Sequence, residues 1–390
     1  MSIAEKSGAL TLQQVVVKRE MKIAAAAPVL SEDLFAVNRL ARERHPDAIR
    51  VRVAERTELG GGAVGFRFAP VEGEKLPMFR AGQFINLSFP IGSSIVTRVY
   101  SLCSSPLASR RGDYQIAVKR DVFASAYLQD TLKVGDELTI SAPSGEFGFH
   151  PLRDAKHVIG VAGGSGITPF LSMARAIDEG SEDFSLTLLY GARAREDALF
   201  ADELRAIAAR CPRFKVVFVL SEEEAEGYEH GFITGELIRK QLLPGENANS
   251  IFMAGPEAMY AFLDKELESL HLRRKFIRKV LPGSVRDPYQ FPDWPAGNEK
   301  QTFTIAVKLR DQSYTVPASG GEPVLVALER AGVPTQAHCR SGSCGFCRAK
   351  LVSGSVFVPD SREGRRAADL IYGYIHPCST WPCSDLSVEL

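Results

Sequence analysis

From residue 49 to about residue 145, hydrophobic and polar residues alternate with a period of two. The alternating stretches are short and bounded by glycine and proline: IRVRVAERTEL, AVGFRFAPV, GQFINLSFP, YQIAVKRD and DELTISAPSG. A period of two indicates strands with one buried face, because successive side chains point to opposite sides of a strand. Short strands at close spacing favour a closed sheet. We therefore predict an antiparallel β-barrel over residues 49–150.

After about Pro151 the pattern changes to buried apolar runs that alternate with amphipathic stretches. The apolar runs are HVIGVAGG, SLTLLYGAR, KVVFVLS and SIFMAGP, and the stretches between them include PFLSMARAIDEG and DALFADELRAIAAR. Strands that are apolar throughout are covered on both faces, and their alternation with helices is typical of a parallel, doubly wound sheet. Residues 151–281 are predicted to form this α/β domain.

The two ends of the chain and one internal segment follow other patterns. Residues 1–48 form an N-terminal extension, in which SEDLFAVNRLARERHPD predicts a short helix capped by Ser31. Residues 282–301 are rich in proline and predict a semi-rigid linker. Residues 302–390 return to strands, TFTIAVKL and QSYTVPAS, with the helix EPVLVALERAGV after them. We expect a small α+β domain there.

Composition and charge exclude several classes of protein. Lys+Arg and Asp+Glu both number 47, so the chain has no overall positive charge to hold nucleic acid or an anionic membrane. No apolar run approaches the ~18 residues of a spanning helix, and KIAAAAPVL, which contains Pro28, begins too late for a signal peptide. Five of the seven cysteines follow residue 338, which indicates a local metal or cluster site in a reducing compartment. We expect a cytoplasmic protein.

Three cysteines lie on one short loop, AHCRSGSCGFCRAK, at positions Cys339, Cys344 and Cys347. The C-x4-C-x2-C spacing matches three of the four thiolates that hold a plant-type [2Fe–2S] cluster. Gly342 and Gly345 permit positive φ angles, which turn backbone N–H groups toward the sulfurs. A zinc site, or a set of unrelated buried thiols, is the alternative.

The fourth thiolate has two candidates in the ending IHPCSTWPCSDLSVEL, Cys378 and Cys383. This ending resembles plant-type ferredoxins, in which the last ligand is followed by a few residues and then a terminal strand. The resemblance implies a β-grasp fold for residues 302–390 and favours Cys378 over Cys383. The other two cysteines, Cys103 and Cys211, are expected to be small core or surface residues.

A possible flavin site is the segment TRVYSLCSSP, which lies between two predicted barrel strands. A flavin needs a cation for its phosphate, an aromatic face against its ring and a small donor near N5. Arg98, Tyr100 and Ser101 supply these groups, and alternate residues of an extended segment share a face. Taken alone, the same three residues would also suit an ordinary strand with a surface arginine and a core tyrosine.

A glycine-rich turn, GVAGGSGITPFLSMA, joins the first predicted strand of the α/β domain to a helix. Gly163, Gly164 and Gly166 allow a dinucleotide pyrophosphate to approach the backbone. Thr168 and Pro169 open the helix, whose N-terminal N–H groups favour anions. The turn taken alone could be only a tight connection.

Together with VFASAYLQDTLKVGDELTISAPSGEFGF, these segments resemble the ferredoxin–NADP reductase superfamily from about residue 49 to residue 390. The resemblance implies that Ser125 is a second contact to the flavin phosphates and that the flavin is FAD, with FMN as the alternative. It also implies that Arg193 of LYGAR, and Gly255 and Pro256 of AGP, belong to the nicotinamide site.

The chain departs from the family pattern at two places. Ala254 stands where the family has a cysteine before Gly255, a cysteine that lies near the nicotinamide and helps it to stack. FIRKVL offers Arg278 and Lys279 where the family has an acid and a phenylalanine near the flavin, and no residue is assigned as a proton relay. Ser221 is followed by three glutamates rather than by arginine. Acids there would repel a 2′-phosphate, which favours NADH over NADPH; a solvated acidic turn is the alternative.

These features predict a reductase that passes electrons from NADH through flavin and a [2Fe–2S] cluster to a separate redox partner protein. Tyr100 and Ser101 are the residues expected beside the reacting flavin, and the cofactors carry the chemistry. One alternative is a non-catalytic electron-relay subunit of a larger complex, suggested by Ala254 and by the N-terminal extension. A flavoprotein with zinc in place of the cluster is the other.

Overall fold

The structure, a computed structural model, describes residues 12–25, 35–44, 46, 48–91, 94–121, 123–245, 247–280, 285, 287–360 and 363–390. The chain divides into two units, Met1–Pro46 and Asp47–Leu390. The first unit contains helices α1 (Leu12–Ala25) and α2 (Ala36–Arg44). Helix α2 confirms the predicted short helix, although its predicted cap, Ser31, lies outside the described residues. Helix α1 was not predicted.

Six antiparallel strands form the predicted barrel in the second unit. They are β1 (Ile49–Gly60), β2 (Ala63–Pro70), β3 (Phe84–Ile91), β4 (Ser94–Ser101), β5 (Tyr114–Lys119) and β6 (Glu137–Ile140). Their order is β4-β3-β6-β1-β2-β5, and a bridge from Leu102 to Ile116 joins the two outer strands. The alternation predicted for β1 is observed, because Val51 and Val53 are buried while Arg50 and Arg52 are exposed. Helix α3 (Ala124–Thr131) follows β5.

Strand β4 corrects one detail of the prediction. The segment that begins at Thr97 was expected between two strands, whereas its first half completes a strand paired with β3 along its whole length. The hydroxyls of Ser88 and Thr97 hydrogen bond across this pair at 3.0 Å. The sequence of β4, SIVTRVYS, lacks the clear period of two that β3 shows, which is why this strand was missed.

The α/β domain that follows the barrel contains a six-stranded parallel sheet with helices on both faces. Its strands are β7 (His157–Gly163), β8 (Ser185–Ala192), β9 (Phe214–Leu220), β10 (Glu229–His230), β11 (Asn249–Ala254) and β12 (Ile277–Lys279). Its helices are α4 (Thr168–Asp178), α5 (Ala201–Arg210), α6 (Gly235–Arg239) and α7 (Glu257–Glu268). The strand order is β10-β9-β8-β7-β11-β12. One core packs α4 and α5 on the sheet and another packs α6 and α7, so the predicted doubly wound fold is confirmed.

Side chains of α4 fasten the parallel sheet to the barrel. Ser172 donates to the carbonyl of Ser104 at 2.7 Å, and Arg175 donates to the carbonyl of Cys103 at 2.8 Å. Arg175 also forms an ion pair with Glu203 at 2.7 Å. Burial lowers the pKa of Arg175, but Glu203 and Cys103 raise it. The pKa of Arg175 is raised overall. The barrel and the parallel sheet are therefore joined by hydrogen bonds, which position the cleft between them.

The last ninety residues form the predicted ferredoxin-like α+β domain. Its strands are β13 (Thr302–Leu309), β14 (Gln312–Ser319), β15 (Ala349–Ser353), β16 (Val356–Phe357), β17 (Tyr374–Ile375), β18 (Trp381–Pro382) and β19 (Leu386–Glu389). Its helices are α8 (Val324–Arg330) and α9 (Ala367–Ile371). The main sheet has the order β14-β13-β19-β15-β17, with β13 and β19 parallel. The core lies between this sheet and α8.

The described part of segment 282–301 packs against this domain. The Trp294 ring meets the rings of Phe357 and Trp381 edge-on, with centroids 5.0 and 6.3 Å apart. Buried Asn298 donates to the carbonyls of Gly320 and Pro382 at 3.1 and 2.9 Å. These contacts anchor the segment more firmly than its proline content alone would indicate.

In the described stretches of the chain, no helix has the length and apolar character that crossing a membrane requires.

Candidate functional site

One large cleft, of about 1990 Å³, contains every residue predicted to bind flavin or nicotinamide. Those residues are Arg98, Tyr100, Ser101, Ser125, Gly163, Gly164, Gly166, Thr168, Arg193, Ser221, Gly255 and Pro256. They come from the barrel and from the carboxyl-end loops of the parallel sheet. A volume well above that of a single-ligand pocket suits two bound cofactors in contact.

Strand β4 supplies the barrel side of the cleft. Arg98 and Tyr100 are two positions apart on β4 and so share a face. Arg98 Nη1 donates to the carbonyl of Thr97 at 2.8 Å, which orients the guanidinium. Burial raises the pKa of Tyr100 to about 12, although the charge of Arg98 opposes the shift. Tyr100 is therefore a neutral phenol near pH 7, able to pack against a ring and to donate a hydrogen bond.

The start of α3 adds residues to the same side. Ser125 Oγ accepts from the N–H of Asp121 at 3.0 Å, which leaves its hydroxyl hydrogen to donate. Phe123, just before α3, has a φ of 61° and presents an exposed ring to the cleft. A positive φ at a bulky residue is strained, and such strain concentrates at functional sites. The sequence carries no signal for this conformation, and Phe123 was missed.

The glycine turn after β7 forms the opposite side. It continues as a 3-10 turn at Gly164–Ile167, and α4 begins at Thr168 with Pro169 in its first turn, as predicted. Gly164 has a φ of 53°, and a Cβ there would meet no atom within 4 Å. The turn thus leaves open space in front of backbone N–H groups at a helix N-terminus. This space and these donors fit a pyrophosphate.

The sheet order reverses between β7 and β11, which is where dinucleotides bind in folds of this type. The glycines allow the loops after these two strands to touch. A Cβ on Gly166 would lie 2.0 Å from the carbonyl oxygen of Ala254, and one on Gly255 would lie 2.4 Å from Cε of Met259. Their role in packing was not predicted. Met259, which covers Gly163 and Gly255 at the crevice, was also missed.

Charged residues border the end of the cleft near Ser221. Arg193 pairs with Asp197 at 3.2 Å, and Lys119 of the barrel reaches the same carboxylate at 3.4 Å. Glu223 accepts from the N–H of Arg195 at 2.9 Å, and this bond first, then the guanidinium, lowers the pKa of Glu223. One of the three predicted acids is thus paired with a cation.

Arg278 and Lys279, which stand where the family has an acid and a phenylalanine, form ion pairs outside the cleft. Arg278 forms an ion pair with buried Asp154 at 3.0 Å, and Lys279 forms one with Asp264. Neither lines the cleft, whereas the next residue, Val280, does. No proton relay can be assigned to these cations.

The four predicted cluster cysteines lie together, and Cys383 does not join them. The thiols of Cys344 and Cys378 hydrogen bond to the sulfur of Cys339, and Cys347 contacts Cys378. These contacts hold the pKa of Cys339 well below its usual range and raise that of Cys378. The N–H of Cys383 instead donates to the carbonyl of Ser355. None of the seven cysteines, all of which the structure describes, forms a disulfide bond.

The cysteine loop has the backbone that was predicted. Gly342 and Gly345 have φ angles of 82° and 69°. The N–H of Gly342 donates to the sulfur of Cys378 at 3.3 Å, and the N–H of Cys344 donates to that of Cys339 at 3.4 Å. Such bonds stabilise thiolates, as cluster ligation requires.

Buried hydroxyls beside the thiols provide a test of whether a cluster fits. The Ser341 side chain hydrogen bonds to the sulfur of Cys339, and Ser379 Oγ has no hydrogen-bond partner among the described residues. Buried donors are normally satisfied, and the sulfides of a [2Fe–2S] cluster would accept from them. Among the same residues, no three His, Cys, Asp or Glu side chains converge on a single-ion site. Two irons that share four thiolates do not need such a site.

The cysteine loop also borders the flavin cleft. Cys339 lines it, together with Pro323 and Val326 at the start of α8. Arg340, buried and with a φ of 52°, forms two 2.6 Å bonds with the carboxylate of Glu329 on α8. This ion pair holds the loop against the helix that faces the cleft.

Three family models match the chain in this order. The oxidoreductase FAD-binding domain matches residues 50–149, the oxidoreductase NAD-binding domain residues 161–265, and the 2Fe-2S iron-sulfur cluster binding domain residues 307–383. The fold and the cofactors FAD, NADH and [2Fe–2S] are thereby confirmed, and FMN and zinc are not supported.

Curated relatives share this organisation. The ferredoxin reductase component of 3-ketosteroid-9-alpha-monooxygenase from Mycobacterium tuberculosis is 32% identical over 80% of this chain and 85% of its own length. NADH oxidoreductase HCR from Escherichia coli is 29% identical over 79% of this chain and 88% of its own length. The solved structure of phthalate dioxygenase reductase has a TM-score of 0.65 and 27% identity, covering 88% of this chain and 98% of that one.

These matches confirm the predicted activity, in which electrons pass from NADH through flavin and the [2Fe–2S] cluster to a separate acceptor protein. The chain belongs to the ferredoxin–NADP reductase superfamily, in the group of NADH-dependent flavoprotein reductases that carry a C-terminal [2Fe–2S] ferredoxin domain.

Proposed function

We propose that the chain is the reductase component of an oxygenase system and that the large cleft described above brings all three redox sites together. The observation that carries the proposal is that Cys339 lines the same cleft as Arg98, Tyr100 and the glycine turn. The proposed division is a flavin domain at 49–150, a nucleotide domain at 151–281, a linker at 282–301 and a ferredoxin domain at 302–390, after an extension at 1–48.

The barrel residues hold the flavin in this proposal. Arg98 pairs with its phosphate, Ser125 donates to the phosphates at the start of α3, and Tyr100 packs on the ring. Ser101 donates near N5. Tyr100 lies in the cleft two positions from Arg98 on β4, which supports its packing against the ring.

The parallel sheet holds NADH. Gly163, Gly164 and Gly166 leave the backbone open to the pyrophosphate, Thr168 starts the helix whose dipole favours it, and Arg193 adds a positive charge. Gly255 and Pro256 border the nicotinamide, while Ser221 lies at the ribose end. Close contact between the loops after β7 and β11 keeps this crevice narrow.

Cys339, Cys344, Cys347 and Cys378 hold the [2Fe–2S] cluster. Leu325, packed against Cys347 and Cys378, keeps water from that side of the site. When bound, FAD takes two electrons together from NADH and releases them singly to the cluster. The protein contributes position: Arg340 and Glu329 hold the cysteine loop beside the flavin cleft.

The names of the relatives support an oxygenase as the acceptor. They include reductase components of 3-ketosteroid-9-alpha-monooxygenase, glycine betaine monooxygenase and phthalate dioxygenase. These acceptors differ in substrate, so the proposal extends only to an oxygenase. A cytoplasmic location agrees with the requirement for NADH and for free thiols.

The test compares the holoprotein with the variant Cys378→Ser under NADH. The wild type is expected to reduce both ferricyanide, which accepts electrons from flavin, and cytochrome c, which requires the cluster. The variant should keep the first activity and lose the second. Cytochrome reduction at wild-type rates by a variant without iron would contradict the proposal, and a wild type that reduces neither acceptor would favour the relay subunit.

A further inference from the structure

The ferredoxin domain exposes a group of large apolar side chains beside the cysteine loop. This group, the α9 patch, consists of Phe346 on the loop, Leu370 and Ile371 on α9, and Tyr372 after it. Ile371 is 76% exposed and Tyr372 is 64% exposed. Asp369 is buried in the same helix, which turns Leu370 and Ile371 outward. Clustered apolar side chains on a soluble domain commonly mark an interaction site.

Close contacts join the patch to the cysteine loop. A Cβ on Gly364, just before α9, would lie 2.7 Å from the carbonyl oxygen of Gly342 in the loop. Arg348, which follows the last cysteine of the loop, bonds to Asp369 of α9 at 3.3 Å. Cys344 is itself exposed. The patch is therefore continuous with the solvent-facing side of the cluster site.

Cations outnumber carboxylates around the patch. The cations are Arg348, Lys350, Arg365 and Arg366, and the carboxylates are Glu363 and Asp369. Asp369 is buried beneath exposed Arg348 and Arg366, so a partner meets their guanidinium groups and not the carboxylate. Glu363 pairs with Arg365. The rim of the patch is positive.

We propose that the α9 patch is the docking site of the electron acceptor, and that the acceptor presents carboxylates around an apolar centre beside its own redox group. The proposal rests on the proposed function and adds the surface and the charge of the partner. Electrons enter on the side where Cys339 lines the flavin cleft and leave on the side where Cys344 is exposed. Opposite charges guide such encounters and set their orientation.

The test uses two haem proteins as probes with the FAD- and cluster-loaded full chain. Cytochrome b5 carries carboxylates around its haem edge, whereas cytochrome c carries lysines. In either case one NADH becomes NAD⁺ and H⁺, and its two electrons reduce two ferric haems to ferrous. The proposal predicts that kcat/KM for cytochrome b5 falls as sodium chloride is raised, while that for cytochrome c does not fall.

One substitution in the α9 patch and one on its charged rim sharpen the test. Ile371→Glu and Lys350→Glu should each lower kcat/KM for cytochrome b5 about tenfold. Leu152→Glu, a control at a residue that is 92% exposed outside the ferredoxin domain, should change it less than twofold. Ferricyanide reduction should be unaffected in all three variants. Because Ile371 is so exposed, its substitution is expected to leave folding intact.

Three outcomes overturn the proposal. Cytochrome b5 reduction that responds neither to salt nor to the Ile371 and Lys350 variants places docking elsewhere. Light scattering that finds a wild-type dimer and a monomeric Ile371→Glu variant assigns the patch to a second copy of this chain. A chain that reduces ferricyanide but neither cytochrome overturns the proposed function, and the docking site with it.

Discussion

Substitution of Gly166 by alanine tests the geometry of the nicotinamide crevice. The added Cβ would lie 2.0 Å from the carbonyl oxygen of Ala254, and real Cβ contacts are essentially never shorter than 3.0 Å. The loops after β7 and β11 must therefore move apart by about 1 Å. A displacement of this size near reacting groups costs roughly 100-fold in rate, and overpacking costs about 1–3 kcal/mol of stability.

The assay is NADH-dependent ferricyanide reduction by the flavin-loaded variant, with flavin occupancy measured from absorbance. We expect kcat/KM for NADH to fall about 100-fold while flavin stays bound, because Gly166 lies on the nucleotide side of the cleft. Gly180→Ala is the matched control, because Gly180 has a φ of 73° and a Cβ there would meet nothing within 4 Å. This variant should be less stable than wild type but have the same kcat/KM for NADH. If Gly166→Ala keeps its NADH kinetics within threefold of wild type, the crevice is not where NADH reacts.

Cys378→Ser should abolish bound iron while Cys383→Ser retains it, and iron loss only in the second variant would reverse the assignment of the fourth ligand. Arg98→Ala should weaken flavin binding about 10- to 150-fold, because a charge-assisted pair of about 1.5–3 kcal/mol is lost; unchanged flavin titration would remove Arg98 from the phosphate site. Met259→Ala should raise KM for NADH severalfold with little change in kcat, through lost sulfur–ring packing, and an unchanged KM would show that Met259 does not border the nicotinamide. Glu223→Gln frees Arg195 and should improve the preference for NADPH about fivefold, whereas an unchanged coenzyme ratio would place the 2′-position elsewhere.

Hydrophobic period was enough to predict the barrel and the parallel sheet, because the two bury different patterns, whereas the β-grasp fold of residues 302–390 was implied by the resemblance to ferredoxins. The exposed and buried residues of β1 alternate, while β7 is buried at every inner position, so the change of period marks the change of domain. The cysteine loop could also be predicted from the sequence, since its spacing and glycines match those of a plant-type [2Fe–2S] site. Helix α1 lacks a comparable signal, since its consecutive apolar residues Val15, Val16 and Val17 do not follow a helical period and are exposed.

Features that depend on distant contacts were not readable from the sequence. The packing role of Gly166 arises from Ala254, and the place of Met259 arises from two loops meeting at the sheet reversal. Nothing about a phenylalanine at position 123 indicates that its φ is positive. Similarly, the pairing of Glu223 with Arg195 weakens a charge argument that treated the three glutamates as unpaired.

NADH, FAD and the [2Fe–2S] cluster exchange electrons within this one chain, without a second protein between them. The most direct measurement is anaerobic stopped-flow mixing of the holoprotein with NADH, followed by electron paramagnetic resonance of frozen samples. Flavin absorbance should bleach first, and the signal of a reduced [2Fe–2S] cluster should then appear without any added mediator. Flavin that bleaches while the cluster stays oxidised, or NADH that changes neither, would contradict this transfer of electrons within the chain.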